Sequence, residues 1–218
     1  MKLYYDPIST TSRAVTLFLA EENIAHSEEI VSLYAGDQHK PEFAAINPNM
    51  QVPVLVDDDL ALAESSAILK YLADKFSSPA YPAELKERAR VNETMDWFNT
   101  GFHLNFCALT IYPVLVPDFA VHDAATRKYI SDISHERVLR YFDILDRHMI
   151  GANNFVCGNE ITIADYLGAT YVTLGEVVGF DLAPWPNVRR WIAGLKARPS
   201  WDAAYAGFNG LVSAARAA

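Results

Sequence analysis

Over the first eighty residues the spacing of hydrophobic and polar positions changes every few residues. The apolar run at residues 2–5 reads as a strand. Residues 11–22 carry apolar positions at helical spacing, with Asn23 placed to end the helix. Residues 26–31 alternate and finish in β-branched side chains, which predicts a second strand. A polar loop leads to a proline-opened helix at 41–46. Residues 52–56 and 60–63 flank Asp57-Asp58-Asp59 and predict a hairpin, and 65–76 predict an amphipathic helix. The order is βαβ, a helix, then ββα. A βαβ unit pairs its strands in parallel and a hairpin pairs them antiparallel, so a small mixed sheet is expected.

Beyond Ser77-Ser78-Pro79-Ala80-Tyr81-Pro82 the rhythm becomes helical throughout. Two prolines among small residues make that segment a short, stiff linker. Phe98, Phe102 and Phe106 recur at every fourth position, and 126–149, 163–178 and 188–197 carry comparable spacing without a convincing strand. The expected architecture is an α/β domain over 1–78 followed by an all-helical domain over 85–218.

Composition narrows the class. The 218 residues are 51 % hydrophobic, yet no apolar run reaches the roughly 18 residues that a membrane span needs. The strand-like start shows no apolar leader, and no membrane association is expected. A net charge of −9 argues against nucleic acid, whose phosphates require a basic face. The two cysteines, Cys107 and Cys157, are far apart and lack C-x-x-C spacing. That favours a reducing compartment, the cytoplasm, and argues against a disulfide enzyme or a metal site. Both read as buried hydrophobes.

Four segments carry candidate chemistry. In Tyr4-Tyr5-Asp6-Pro7-Ile8-Ser9-Thr10-Thr11-Ser12-Arg13, hydroxyls gather where a strand meets a helix N-terminus. Unpaired N–H groups and the positive end of the helix dipole favour an anion there, and a thiolate is one such anion. The turn holds no cysteine, so any reacting thiol comes from a small molecule. In Asn47-Pro48-Asn49-Met50-Gln51-Val52-Pro53, the proline must open its strand. A cis bond before it would turn the Val52 backbone toward a peptide-like ligand. Glu64-Ser65 again marks a strand end at a helix start, with Ser65 expected as N-cap. A ligand carboxylate could meet Ser65 while Glu64 pairs with an amine. Thr162 and Asp165 form a capping-box pattern flanked by Ile161 and Tyr166, read as stabilising the fold.

In this order and over nearly the whole chain, the segments resemble cytosolic glutathione S-transferases. The hydroxyl turn resembles the serine-type delta and theta classes, in which a serine follows the proline by two and an arginine comes four later. The resemblance implies a thioredoxin-like first domain and a homodimer. It also implies glutathione as co-substrate, with no metal, and a small hydrophobic electrophile as second substrate. It maps the active-site hydroxyl onto Ser9, a donor to the sulfur and not a nucleophile, with Thr10 and Ser12 as rivals. Glutathione's glycyl carboxylate would fall near Gln38, His39 and Lys40, its cysteinyl backbone on Val52 beside Pro53, and its γ-glutamyl end on Glu64 and Ser65. Phe106 and Tyr112 are expected to face the electrophile, and Arg13 to pair with a carboxylate at the domain face. Delta enzymes carry a histidine where this chain has Met50 and an arginine where it has Ser66. Bacterial beta members share the Gln51-Val52-Pro53 run but place a cysteine at Thr10. Glutathione-dependent isomerisation or dehalogenation, or a non-catalytic scaffold, are the alternatives.

Overall fold

The computed structural model describes residues 1–115 and 123–217. The first domain contains β1 (Lys2–Tyr5), α1 (Thr10–Glu21), β2 (Ser27–Ile30), a 3₁₀ turn (Asp37–His39), α2 (Pro41–Ala44), β3 (Val54–Asp57), β4 (Leu60–Leu62) and α3 (Ser65–Lys75). The sheet order is β2-β1-β3-β4. β1 runs parallel to β2 and antiparallel to β3, placing Leu3 opposite both Glu28 and Leu55. Strands β3 and β4 close the antiparallel hairpin, with Asp57 opposite Leu60. One face of the sheet buries Leu3 and Leu55 in a core shared with Ala14, Val15, Leu17 and Phe18 of α1 and Ile68, Leu69 and Leu72 of α3. A smaller cluster of Val31, Phe43, Val52 and Val54 seats α2 and the proline-opened strand. This is the thioredoxin-like arrangement.

The rest of the described chain is helical. α4 (Leu85–Trp97) passes without a break into a π-wound stretch (Phe98–Ile111) and then α5 (Tyr112–Leu115). α6 (Ala124–Ile144) likewise ends π-wound, over Leu145–Ile150. α7 (Ile163–Leu174) is buried along its whole length, and α8 (Pro186–Lys196), α9 (Trp201–Ala204) and α10 (Ala206–Ala217) pack around the domain. The phenylalanine stripe is core: the Phe102 and Phe106 rings lie 5.2 and 4.9 Å from Phe142. Among the described residues no helix is long and apolar enough to cross a membrane.

Asp165 fastens α7 in place. Its carboxylate accepts the Thr162 N–H (2.8 Å) and hydroxyl (3.0 Å), the Val156 N–H (2.9 Å) and the Trp191 indole N–H (2.9 Å). Burial outweighs these four donors and pushes its pKa up to about 6.

The seam between domains runs along α1 and α7, with Phe18 edge-on to Tyr166 at 5.5 Å. Arg13 does not meet a carboxylate there, contrary to the sequence expectation. The helix turns position 13 into an apolar, fully buried seam. The guanidinium donates to the Thr173 hydroxyl (3.2 Å) and the Thr170 carbonyl (3.3 Å), and lies 3.6 Å from the Phe208 ring centre. Cation–π attraction replaces the ion pair. Glu21 takes Arg198 instead (2.6 Å).

Candidate active site

The hydroxyl turn is fixed from below by Asp6, whose buried carboxylate accepts the Ile8 and Leu33 N–H groups, each at 2.8 Å. Ser9 is the N-cap of α1, and its Oγ accepts the Ser12 N–H at 3.4 Å. Its hydroxyl lies 3.4 Å from that of Thr11, which in turn donates to the Val52 carbonyl at 3.2 Å. The expected rivals point elsewhere. Thr10 is buried and accepts from the Tyr112 hydroxyl at 3.4 Å, and Ser12 is fully buried. Of the four hydroxyl residues of the turn, Thr11 is the one that lines the cleft, a position the sequence pattern does not single out.

Beyond Thr11 the sheet-side wall is made of bends. The Val52–Pro53 bond is cis. The loop before it is tied by Asn47, whose amide donates to the Gln51 carbonyl at 2.8 Å and whose Oδ1 accepts the Asn49 N–H at 3.1 Å. Glu64 adopts φ 66°, ψ 110°, unusual for a residue with a side chain and typical of ligand sites. Glu64 occupies the N-cap position and makes no side-chain cap bond, so Ser65 is the first helical residue and not the cap expected from sequence. Both line the cleft, as do Gln38 and His39, whose side-chain nitrogens lie 3.2 Å apart. Lys40 does not join them. It pairs with Asp37 at 2.6 Å and sits in a separate surface recess with Tyr4, Glu29 and Phe43, because α2 begins there and turns it away.

The facing wall comes from the helical domain: Asn99, His103, Tyr112 and Tyr171. The Tyr171 hydroxyl donates to Asn99 Oδ1 at 2.8 Å. His103 lies between the two tyrosines, with ring centroids 5.1 Å from Tyr171 and 6.0 Å from Tyr112. Phe106 is not part of this wall. It is fully buried among Phe102, Phe142 and Phe180, since the π-wound turns aim the phenylalanine stripe at the core. The cleft between the walls has a volume of about 520 Å³.

The description "Glutathione S-transferase, N-terminal domain" belongs to a family model that matches residues 3–80, and "Glutathione S-transferase, C-terminal domain" to one that matches 102–199. This chain belongs to the glutathione S-transferase family. It is 32 % identical over 206 residues to Glutathione S-transferase D7 of Drosophila melanogaster, covering 93 % of this chain and 87 % of that protein. Its fold matches a human theta-2 glutathione transferase, solved with glutathione and an unknown ligand, at TM-score 0.87 and 26 % identity, covering 99 % and 90 % of the two chains. A Drosophila mojavensis homologue with bound glutathione gives TM-score 0.85 and 27 % identity over 99 % and 96 %.

The transferase therefore places its polar turns and its aromatic wall on opposite sides of one cleft. Burial pushes the Tyr112 hydroxyl up to about 12 and the Tyr171 hydroxyl higher still, so both are protonated donors at neutral pH. Burial also holds His103 below the ordinary imidazole value. Among the described residues no group of histidines, cysteines and carboxylates is placed to hold a metal. Two of the residues missed by sequence reading left a readable trace. Asn99 and His103 are spaced by four, one position after Phe98 and Phe102, and so form a polar stripe beside the aromatic one.

Proposed function

We propose that this transferase lays glutathione along the sheet-side wall and conjugates its sulfur to a small hydrophobic electrophile admitted along the helical wall. The observation that carries the reading is the Thr11 hydroxyl bond to the Val52 carbonyl. It joins the hydroxyl turn to the Val52–Pro53 segment inside the cleft that Glu64 and Ser65 also line.

The γ-glutamyl end goes to Glu64 and Ser65, where a carboxylate meets the positive end of α3. The cysteinyl backbone goes to Val52, and the glycyl carboxylate to Gln38 and His39. Lys40, paired with Asp37, takes no part in this arrangement.

The sulfur then lies at the Ser9–Thr11 pair. A free thiol has a pKa near 8.5 and is mostly protonated at neutral pH. A hydroxyl donor and the N-terminus of α1 both favour the anion. Ser9 is the better donor, because the Thr11 proton already goes to Val52.

The functional unit is a homodimer. Tyr129 and Ile133, one turn apart on α6, and Leu104 leave apolar surface exposed for a second copy to cover. Two free thiols fit the cytoplasm.

Calorimetric titration with glutathione, followed by turnover with aryl halides, epoxides, enals and haloalkanes, tests the reading. The expected result is saturable glutathione binding and conjugation of at least one class. A protein that binds no glutathione would overturn it.

A further inference from the structure

The helical wall contains a polar group that glutathione capture does not use. His103 is half-buried between the rings of two tyrosines, tilted 54° to Tyr171 and 68° to Tyr112, yet it lines the same cleft as Thr11 and Val52. Its polar neighbours are engaged: Tyr171 donates to Asn99, and Tyr112 donates to Thr10. Among the described residues neither ring nitrogen of His103 has a hydrogen-bond partner. A half-buried imidazole held between two tyrosine rings on the wall of a reaction cleft is arranged to exchange protons with whatever occupies the cleft.

Resting on the glutathione reading above, we propose that His103 is a catalytic residue that carries the thiol proton of glutathione to an α,β-unsaturated carbonyl substrate. Conjugate addition is the reaction that needs such a group. In substitution at an aryl halide, the thiol proton and the halide both leave, and nothing is returned to the product. In addition to an enal the proton must come back. The thiol proton passes to an imidazole nitrogen, and the sulfur electron pair forms the C–S bond at the β-carbon. The C=C π pair moves to give the enolate, and the imidazolium returns the proton to the α-carbon. The balance closes without oxidant, reductant or third reactant.

The surroundings suit both halves of that cycle. The titratable groups packed on His103, Tyr112 from α5 and Tyr171 from α7, stay protonated, as does the buried Cys107 thiol one turn on along the same helix. Among the described residues, the charged and titratable groups on the opposite wall are Glu64 and His39. The imidazole is therefore neutral at pH 7 and can accept the first proton. The Tyr171 bond to Asn99 Oδ1 leaves the Asn99 amide N–H groups to meet a carbonyl oxygen.

His103→Gln and His103→Phe would be assayed with glutathione and two second substrates, crotonaldehyde and chlorodinitrobenzene. Glutathione affinity shows which variants are folded, and Gln serves if Phe is not tolerated. The expected result is that the ratio of crotonaldehyde to chlorodinitrobenzene kcat/KM falls about a hundredfold in the variants. In the wild type this ratio should rise as pH drops through the imidazole pKa, below 6.5, because donation from the imidazolium is the step crotonaldehyde alone requires, and in the variants it should be flat. Taking the ratio cancels the titration of the thiol itself. An unchanged ratio, including an equal loss with both substrates, would overturn the assignment. So would a wild type that conjugates chlorodinitrobenzene but not crotonaldehyde, and that result would leave the transferase reading intact. A wild type that binds no glutathione would overturn the reading and this proposal together.

Discussion

The sheet-side wall of the cleft is made of turns and chain bends, whereas the helical wall is made of side chains set on faces of helices. On the first wall, position follows from local backbone rules: a proline after β1, an N-cap at Ser9, a cis Val52–Pro53 bond and a left-handed φ at Glu64. On the second, position follows from how α4, its π-wound continuation and α7 pack against a distant aromatic core. A turn presents backbone N–H and C=O groups in directions that few substitutions alter. A helix face presents whatever side chains the sequence places there. The first suits an invariant peptide ligand and the second a variable electrophile.

The largest effect expected from separating the two walls is at Asp165, which lines neither. Asp165→Ala strands the buried Val156, Thr162 and Trp191 N–H donors together. At roughly 1–3 kcal/mol for each unsatisfied group, a loss of about 3–5 kcal/mol is expected, because part of the cavity admits water. Urea unfolding measures it. The protein that remains folded should bind glutathione with wild-type affinity, since the sheet-side wall is untouched. A loss below about 1 kcal/mol would mean that α7 is held by packing alone.

A smaller effect is expected on the sheet-side wall. Glu64→Ala and Ser65→Ala each remove a contact to a charged end of glutathione. Each should weaken its dissociation constant about tenfold, close to 1.4 kcal/mol. Neither should alter the preference among electrophiles, which belongs to the other wall. Calorimetry on both variants, beside a substrate panel, separates the two effects. Unchanged affinity in both would reduce the Glu64–Ser65 corner to a helix start.

The same contrast explains how much was legible in the sequence. The strand and helix order, the mixed sheet, the cis proline and the Thr162–Asp165 box each depend on residues close together in the chain, and the structure contains all of them. Misplacements arose where distant packing decides. Phe106 is expected to face the electrophile, but π winding keeps it with Phe142 and Phe180. Arg13 reads as an ion-pair partner, but α10, almost two hundred residues away, brings Phe208 beneath it. Thr11 is not singled out by sequence, because a run of four hydroxyls does not say which ones α1 turns outward. His103 and Asn99 carry no signal of their own as site residues, because a polar stripe beside an aromatic one is what any amphipathic helix with a solvated face shows. Lys40 was misplaced because its nearest anion, Asp37, is three residues away and holds it out of the cleft.

The central claim is that hydroxyls at the N-terminus of α1 hold the glutathione thiolate. It is tested most directly by the pH dependence of thiolate absorbance in the glutathione complex, for wild type, Ser9→Ala, Thr11→Val and the double variant. Losing a hydrogen bond to a charged sulfur costs about 1.5–3 kcal/mol, equivalent to roughly one to two pKa units. The account predicts that Ser9→Ala raises the thiol pKa by about that amount and that Thr11→Val raises it less. The double variant should shift no further than the two combined, with glutathione affinity little changed. A double variant that titrates like wild type would contradict the account and leave the thiolate to the backbone N–H groups and the dipole of α1.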